Sequence, residues 1–255
     1  MSALDGPTRF ARFAYPPNAL GYCGPDDHLA LLEYGASGAS DGGLRDLARR
    51  FEGAWPYLQL IAGCSGIDDP LDARVVEAYW IGNELLDTVT DFELGTSLTD
   101  RFRGPAGATF ERLAAAIGAG GRPHHCFHVF AVYPFTGLVR SGTVDQPLHV
   151  LERCRIRWGR VVDVVGGDVL VRSRPLVWDG TRLGLGAARV EQAVAGHTGR
   201  VFEPALRRDD WVALHWDWVC ERLDRRQLAN LRGITERQLA TVNGMPLPPP
   251  AHVLA

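Results

Sequence analysis

After residue 147 the apolar spacing of this chain changes from helical to alternating, and that change does most to limit what it can fold into. The runs 161–165 (Val-Val-Asp-Val-Val) and 168–172 (Asp-Val-Leu-Val-Arg) flank Gly166-Gly167, a two-residue hairpin signal. The runs 176–178 and 181–183 flank Asp179-Gly180, which reads as a second hairpin. Residues 188–195 and 211–218 supply further strands, the latter running directly into a helix. Strands this short and closely spaced leave many unpaired edges in an open sheet. A small closed β-barrel is therefore expected.

The chain before this point reads as mainly helical. Asp26-Asp27 cap a short apolar run ending near Tyr34, and residues 35–43 form a Gly/Ser/Ala loop. Leu44, Leu47, Ala48 and Phe51 recur at helical spacing. So do Val75, Val76, Tyr79 and Trp80 and then Leu85 and Leu86, in a helix expected to open at Asp69-Pro70. Phe110, Leu113, Ala114 and Ile117 form another stripe, stopped by the Gly-rich stretch 118–121. The apolar run 126–138 reads either as a buried helix or as a strand broken near Pro134. The polar stretch 141–147 is the expected domain boundary. Asp224…Gln227 and Thr235…Gln238 resemble capping boxes opening two terminal helices. The fold class expected is α+β: a helical domain over 1–145, a β-barrel with C-terminal helices over 150–243, and a Pro-rich tail over 244–255.

Composition excludes several classes of function. A net charge of -3 gives no electrostatic case for nucleic acid or an anionic membrane surface. All 27 basic side chains are Arg, so Schiff-base and P-loop chemistry that needs a Lys of this chain is excluded. The first twenty residues hold no uninterrupted apolar run and carry Pro16-Pro17, so no signal peptide is expected, and no later run reaches membrane-spanning length. Cys23, Cys64, Cys126, Cys154 and Cys220 form no C-x-x-C pair, which argues against both a disulfide framework and a zinc finger. A reducing cytoplasm is the expected compartment. Cys23 and Cys64 lie beside turn-rich segments and read first as structural, with a reactive thiol as the alternative.

Two constellations offer metal ligands. His124, Cys126 and His128 lie in the string His-His-Cys-Phe-His. On a helix His124 and His128 share a face, and on a strand all three do, so either geometry gathers ligands; the string reads equally as a polar lead-in that caps an apolar element. The other pair is Cys154, placed at the entry of a strand, and His215, inside an alternating strand. A soft sulfur and a borderline imidazole form a coordination pair with open positions. Arg153, Arg155 and Arg157 bracket Cys154 and are expected to favour its thiolate.

The second pair also carries a family likeness. Cys154 followed by Gly159-Arg160-Val161 resembles the opening of the HypC/HupF hydrogenase assembly chaperones, which begin Met-Cys and reach Pro-Gly-Lys/Arg-Val. Asp210-Trp-Val-Ala-Leu-His215 resembles their Gly-Asp-Tyr-Val-Leu-Val-His strand, and Glu221-Arg-Leu-Asp224 their exit into a C-terminal helix. The resemblance covers about residues 152–242 and implies a small HypC-like (OB-like) β-barrel. It implies an iron cargo bearing cyanide and carbon monoxide, built on a HypD-like scaffold protein and passed to the hydrogenase large-subunit precursor. Carried over by position, Cys154 is the implied ligand and His215 its neighbour. The pattern departs in three places: Cys154 is internal and offers no α-amine, Trp158 stands for Pro, and Trp216 and Asp217 stand for small or apolar residues.

The resemblance therefore implies a metallocofactor carrier or chaperone for nickel-iron hydrogenase maturation, not an enzyme, and no catalytic residue is assigned. Two other readings stand beside it. One is a metal-dependent enzyme built on His124, Cys126 and His128. The other is a cargo-free protein-interaction module.

Overall fold

The computed structural model describes residues 4–101, 107–197 and 199–244. Among the described residues ten α-helices precede the sheet: α1 (Gly6–Ala19), α2 (His28–Ser37), α3 (Gly42–Arg49), α4 (Trp55–Cys64), α5 (Ala73–Trp80), α6 (Asp91–Arg101), α7 (Gly107–Gly118), α8 (His125–Phe127), α9 (Phe135–Arg140) and α10 (Asp145–Cys154). Nine strands follow: β1 (Arg157–Val165), β2 (Asp168–Ser173), β3 (Leu176–Trp178), β4 (Leu183–Leu185), β5 (Arg189–Val194), β6 (Gly196–His197), β7 (Arg200–Val201), β8 (Trp211–His215) and β9 (Trp218–Arg222). Helix α11 (Arg225–Asn243) ends the described chain. The fold is α+β, with helices first and sheet second.

Local chemistry sets the helix boundaries. The Asp5 carboxylate accepts the Thr8 backbone N–H at 2.8 Å and starts α1. Helix α5 opens at Asp72, which accepts from the Arg74 N–H, and not at Asp69-Pro70. Asp69 instead accepts from the Leu71 N–H and pairs with Arg45. Gly82, at φ 96°, breaks that helix, so Leu85 and Leu86 fall in a separate 3-10 turn at Glu84–Thr88. Helix α2 runs past Tyr34 to Ser37, stopped by Gly38 at φ 69°. The ambiguous apolar run is helical: α8 passes into a π-helical turn at His128–Val132 and then into α9.

Of residues 141–147, the expected boundary, the last three already belong to α10, which runs into β1 after two residues. One apolar core extends from Phe10 through Val150 and Cys154 to Ala213, Cys220 and Val242. Helix α1 packs on α2 and α5 on one side and on β8 and β9 on the other. Arg9 of α1 and Glu221 of β9 make a buried bidentate pair across that contact, at 2.8 and 2.7 Å. The tail beyond Gly244 lies outside the described residues.

Five strands close on themselves in the order β1-β2-β5-β9-β8, with β8 returning to β1. Val161, Val169, Val171, Val212, Leu214 and Val219 fill the interior. Gly159 is required here, since a Cβ would stand 2.1 Å from a Val171 methyl. The Gly166-Gly167 hairpin forms, pairing Val165 with Asp168. The second hairpin turns over four residues instead of two: Asp179 accepts from the Thr181 and Arg182 N–H groups, so pairing begins at Trp178 with Leu183.

The stretch 211–218 is not one strand. Trp216 takes φ 51°, and the chain reverses into β9 before reaching the helix. Nor are there two terminal helices. Asp224 and Gln227 form a reciprocal capping box, but α11 continues unbroken through Gly233, leaving Thr235 and Gln238 buried within it. One interior Gly costs about 1 kcal/mol relative to Ala, less than the burial of Leu231, Ile234, Leu239 and Val242 on its inward side returns.

Candidate metal centre

Strand β8 is buried on both faces, and this decides where His215 points. Val212 and Leu214 face the interior of the closed sheet, so period-two alternation turns Ala213 and His215 outward against the helices. Helix α1 meets that face. The Phe13 carbonyl lies 2.6 Å from His215 Nδ1, and because a carbonyl only accepts, Nδ1 carries the proton. The lone pair is therefore on Nε2, which is buried without a hydrogen-bond partner.

Cys154 is the last residue of α10, not a strand residue, and the chain then enters β1 beside β8. Arg157 pairs with Leu214 in that register. The Trp216 N–H donates to the Arg153 carbonyl at 2.7 Å, and the Arg157 guanidinium donates to the Trp216 carbonyl. These bonds tie the residue before Cys154 to the residue after His215, so thiol and imidazole meet although sixty residues separate them in sequence.

A third candidate ligand comes from the helical part. His124 caps α8, its Nδ1 accepting the Cys126 N–H at 3.0 Å, and the next residue, His125, projects toward Cys154. His125 Nε2 lies 2.8 Å from the Cys154 carbonyl and 3.8 Å from its sulfur, while Nδ1 faces the Tyr79 hydroxyl at 3.2 Å. The donor atoms of His125, Cys154 and His215 all lie within 4.8 Å of one another, and all three residues are buried. The two imidazole rings are 5.1 Å apart, and the Trp80 ring lies against both.

His124, Cys126 and His128 do not gather at one point. The Cys126 sulfur faces the Thr235 hydroxyl of α11 at 3.7 Å. His128 stands against Tyr57 and Tyr133. His125, which neither periodicity singled out, is the member of the string that joins Cys154 and His215.

Electrostatics keep the three donors neutral. Burial lowers His125 to about 4 and holds His215 well below the usual imidazole value, with His125 nearby adding to the effect. Both rings are therefore uncharged at neutral pH, each keeping one N–H. Burial also pushes the Cys154 thiol well above its ordinary range, with Cys23 and Cys126 adding to it. The flanking arginines do not offset this, because their charges are committed elsewhere. Arg153 pairs with Glu191 and Asp217, Arg155 with Glu152, and Arg157 with Glu191.

The donors line a cavity of about 240 Å³ together with Cys23, Phe51, Tyr79, Trp80 and Tyr133. A larger, more open hollow of about 1230 Å³ adjoins it, and Cys23, Gly53, His128, Tyr133 and Pro134 line both. Two neutral imidazoles and one ionisable sulfur, one nitrogen lone pair being unpartnered, suit a first-row transition metal of borderline-to-soft character with positions left open. The Phe13 carbonyl orients His215, and Tyr79, whose hydroxyl also reaches the Gly53 carbonyl at 3.4 Å, can orient His125.

Among the described residues no helix is long and apolar enough to cross a membrane. No curated protein and no solved structure matches the chain. One family model does match, and it spans residues 2–247, so the chain belongs to DUF6390, a family of unknown function.

Proposed function

We propose that this protein is an accessory factor of nickel-iron hydrogenase assembly that carries an iron centre on Cys154, His215 and His125. The observation that supports this reading is a convergence. The two positions that resemble the HypC/HupF motifs meet a buried third ligand at one cavity, beside an open hollow. On this reading the closed sheet is a HypC-like barrel whose cargo sits on its outer face, under the helical part. The helices then supply a ligand, His125, and a cover that excludes water. His125 then supplies a nitrogen donor in place of the α-amine, which an internal cysteine cannot provide.

Soft thiolate ligation suits low-spin iron bearing cyanide and carbon monoxide, and the open positions leave room for those diatomic groups. The implied partners are a HypD-like scaffold that loads the centre and the large-subunit precursor that receives it. The test is infrared spectroscopy of protein purified from its native host. Carbonyl and cyanide stretching bands are expected in the wild type and absent from Cys154→Ala. Full iron content together with undiminished capture of the large-subunit precursor by Cys154→Ala would overturn the proposal.

A second reading has one observation in its favour. The adjoining hollow would also admit a small substrate, so the same three ligands could hold a catalytic metal. Metal-dependent turnover with no associated hydrogenase precursor would favour it.

A further inference from the structure

Cys23 has no place among the three donors, yet it lines both the inner cavity and the outer hollow. Its segment is shaped for that position. Gly21 and Gly24 on either side take φ 74° and 82°, and the Asn18 side chain ties the Cys23 carbonyl at 2.7 Å. Backbone contacts therefore hold the loop, and the thiol makes no disulfide. On the inner side the buried, unpartnered Nε2 of His215 faces the same cavity. Cys23 and Cys154 line that inner cavity together.

We propose that Cys23 is the entry ligand of the centre: a metal arriving through the hollow binds its sulfur first and is then passed to Cys154. The inference rests on the metal-carrier reading above and adds to it a route and an order of ligands. Binding at Cys23, whose thiol burial raises to about 12, releases that thiol's proton to solvent through the hollow; the passage that follows is a ligand exchange without change of oxidation state. The Cys154 sulfur–metal bond forms as the Cys23 sulfur–metal bond breaks, and the Cys154 proton goes to the departing Cys23 thiolate. His215 Nε2 and His125 then complete the ligand set. For His125 this requires its proton to move from Nε2, where the Cys154 carbonyl now holds it, to Nδ1, where the Tyr79 hydroxyl can accept it.

The test uses cobalt(II) as the probe on the full chain, following sulfur-to-cobalt charge-transfer absorption by stopped flow and metal stoichiometry at equilibrium. Cys23→Ser is expected to reach the wild-type stoichiometry and final spectrum, but on the order of tenfold more slowly. Equal loading rates for Cys23→Ser and wild type would overturn the entry role. A final spectrum in Cys23→Ser lacking one sulfur ligand would overturn it differently, by making Cys23 a resident ligand. Cys154→Ala and His215→Ala are expected to lose the stable complex. If they keep it, the carrier reading itself fails, whatever Cys23 does.

Discussion

His215 Nδ1 donates to the Phe13 carbonyl at 2.6 Å, a bond between the last residue of β8 and the middle of α1. It fixes the tautomer of a fully buried imidazole and joins the sheet to the helix packed across it. Ligand geometry and fold stability therefore share one hydrogen bond, and the two can be separated by substitution. His215→Ala strands the Phe13 carbonyl and is expected to cost about 1–3 kcal/mol in urea denaturation as well as metal. His215→Asn places an amide N–H near the Nδ1 position. It is expected to recover much of the stability and none of the metal. Equal stability of both variants would show that the bond contributes little.

Metal binding is expected to release one proton. Above pH 6 both imidazoles are already neutral, with His125 at about 4, while burial keeps Cys154 protonated. Apparent cobalt(II) affinity should therefore rise about tenfold per pH unit between roughly pH 6.5 and 8. Calorimetry in buffers of different ionisation enthalpy counts the proton directly. A slope of zero would mean that Cys154 binds as a thiol or does not bind.

Acid should destabilise the protein earlier than its carboxylates alone would. His124 falls to about 3, His125 to about 4 and His215 well below 6.5, each chiefly through burial. All three are depressed in the fold, so the unfolded chain binds protons first. The stability they contribute is complete above about pH 6.5 and is lost as pH falls toward the folded values, at up to about 1.4 kcal/mol per pH unit per group. Urea midpoints measured at pH 7, 6 and 5 should fall steadily. A flat profile over that range would contradict the burial of these rings.

Arg9 and Glu221 form a second polar tie between α1 and the sheet, each about nineteen-twentieths buried. Removing one partner leaves an uncompensated interior charge. Arg9→Met is expected to cost about 3–5 kcal/mol, and the double variant with Glu221→Leu to recover a large part of it. Additive losses in the double-mutant cycle would show that the two charges are not coupled.

The parts of the fold legible in the sequence are those that depend on neighbours in the chain. The Gly166-Gly167 hairpin and the Asp224 capping box are local, and their residue types specify their geometry. The β8 strand ending at His215 is legible too, because its alternation is. The reversal after it is not, since Trp216 is an unusual residue for φ 51° and tertiary contacts hold it there, bonds to Arg153 and Arg157 and packing on the Tyr22 ring. The second capping-box signature misleads because Thr235 and Gln238 are buried by packing within α11.

The site divides in the same way. Motif spacing singles out Cys154 and His215. His125 escapes both periodicities because a three-residue helix passing into a π turn follows neither, and its partners lie on α10 and β8. The arginines around Cys154 mislead because linear proximity says nothing about which carboxylates claim them. Two adjacent histidines ahead of an apolar run were the available signal, since one can cap the helix while the other turns inward.

His125, Cys154 and His215 come from three distant stretches of one chain, and the last of them follows nearly all of the sheet. The cradle is therefore absent from any partly synthesised or half-folded molecule, and a stray ion meeting a nascent chain finds no multidentate trap. On the proposed carrier reading, readiness to accept a metal would be a property of finished molecules alone, so loading would double as an inspection of the fold.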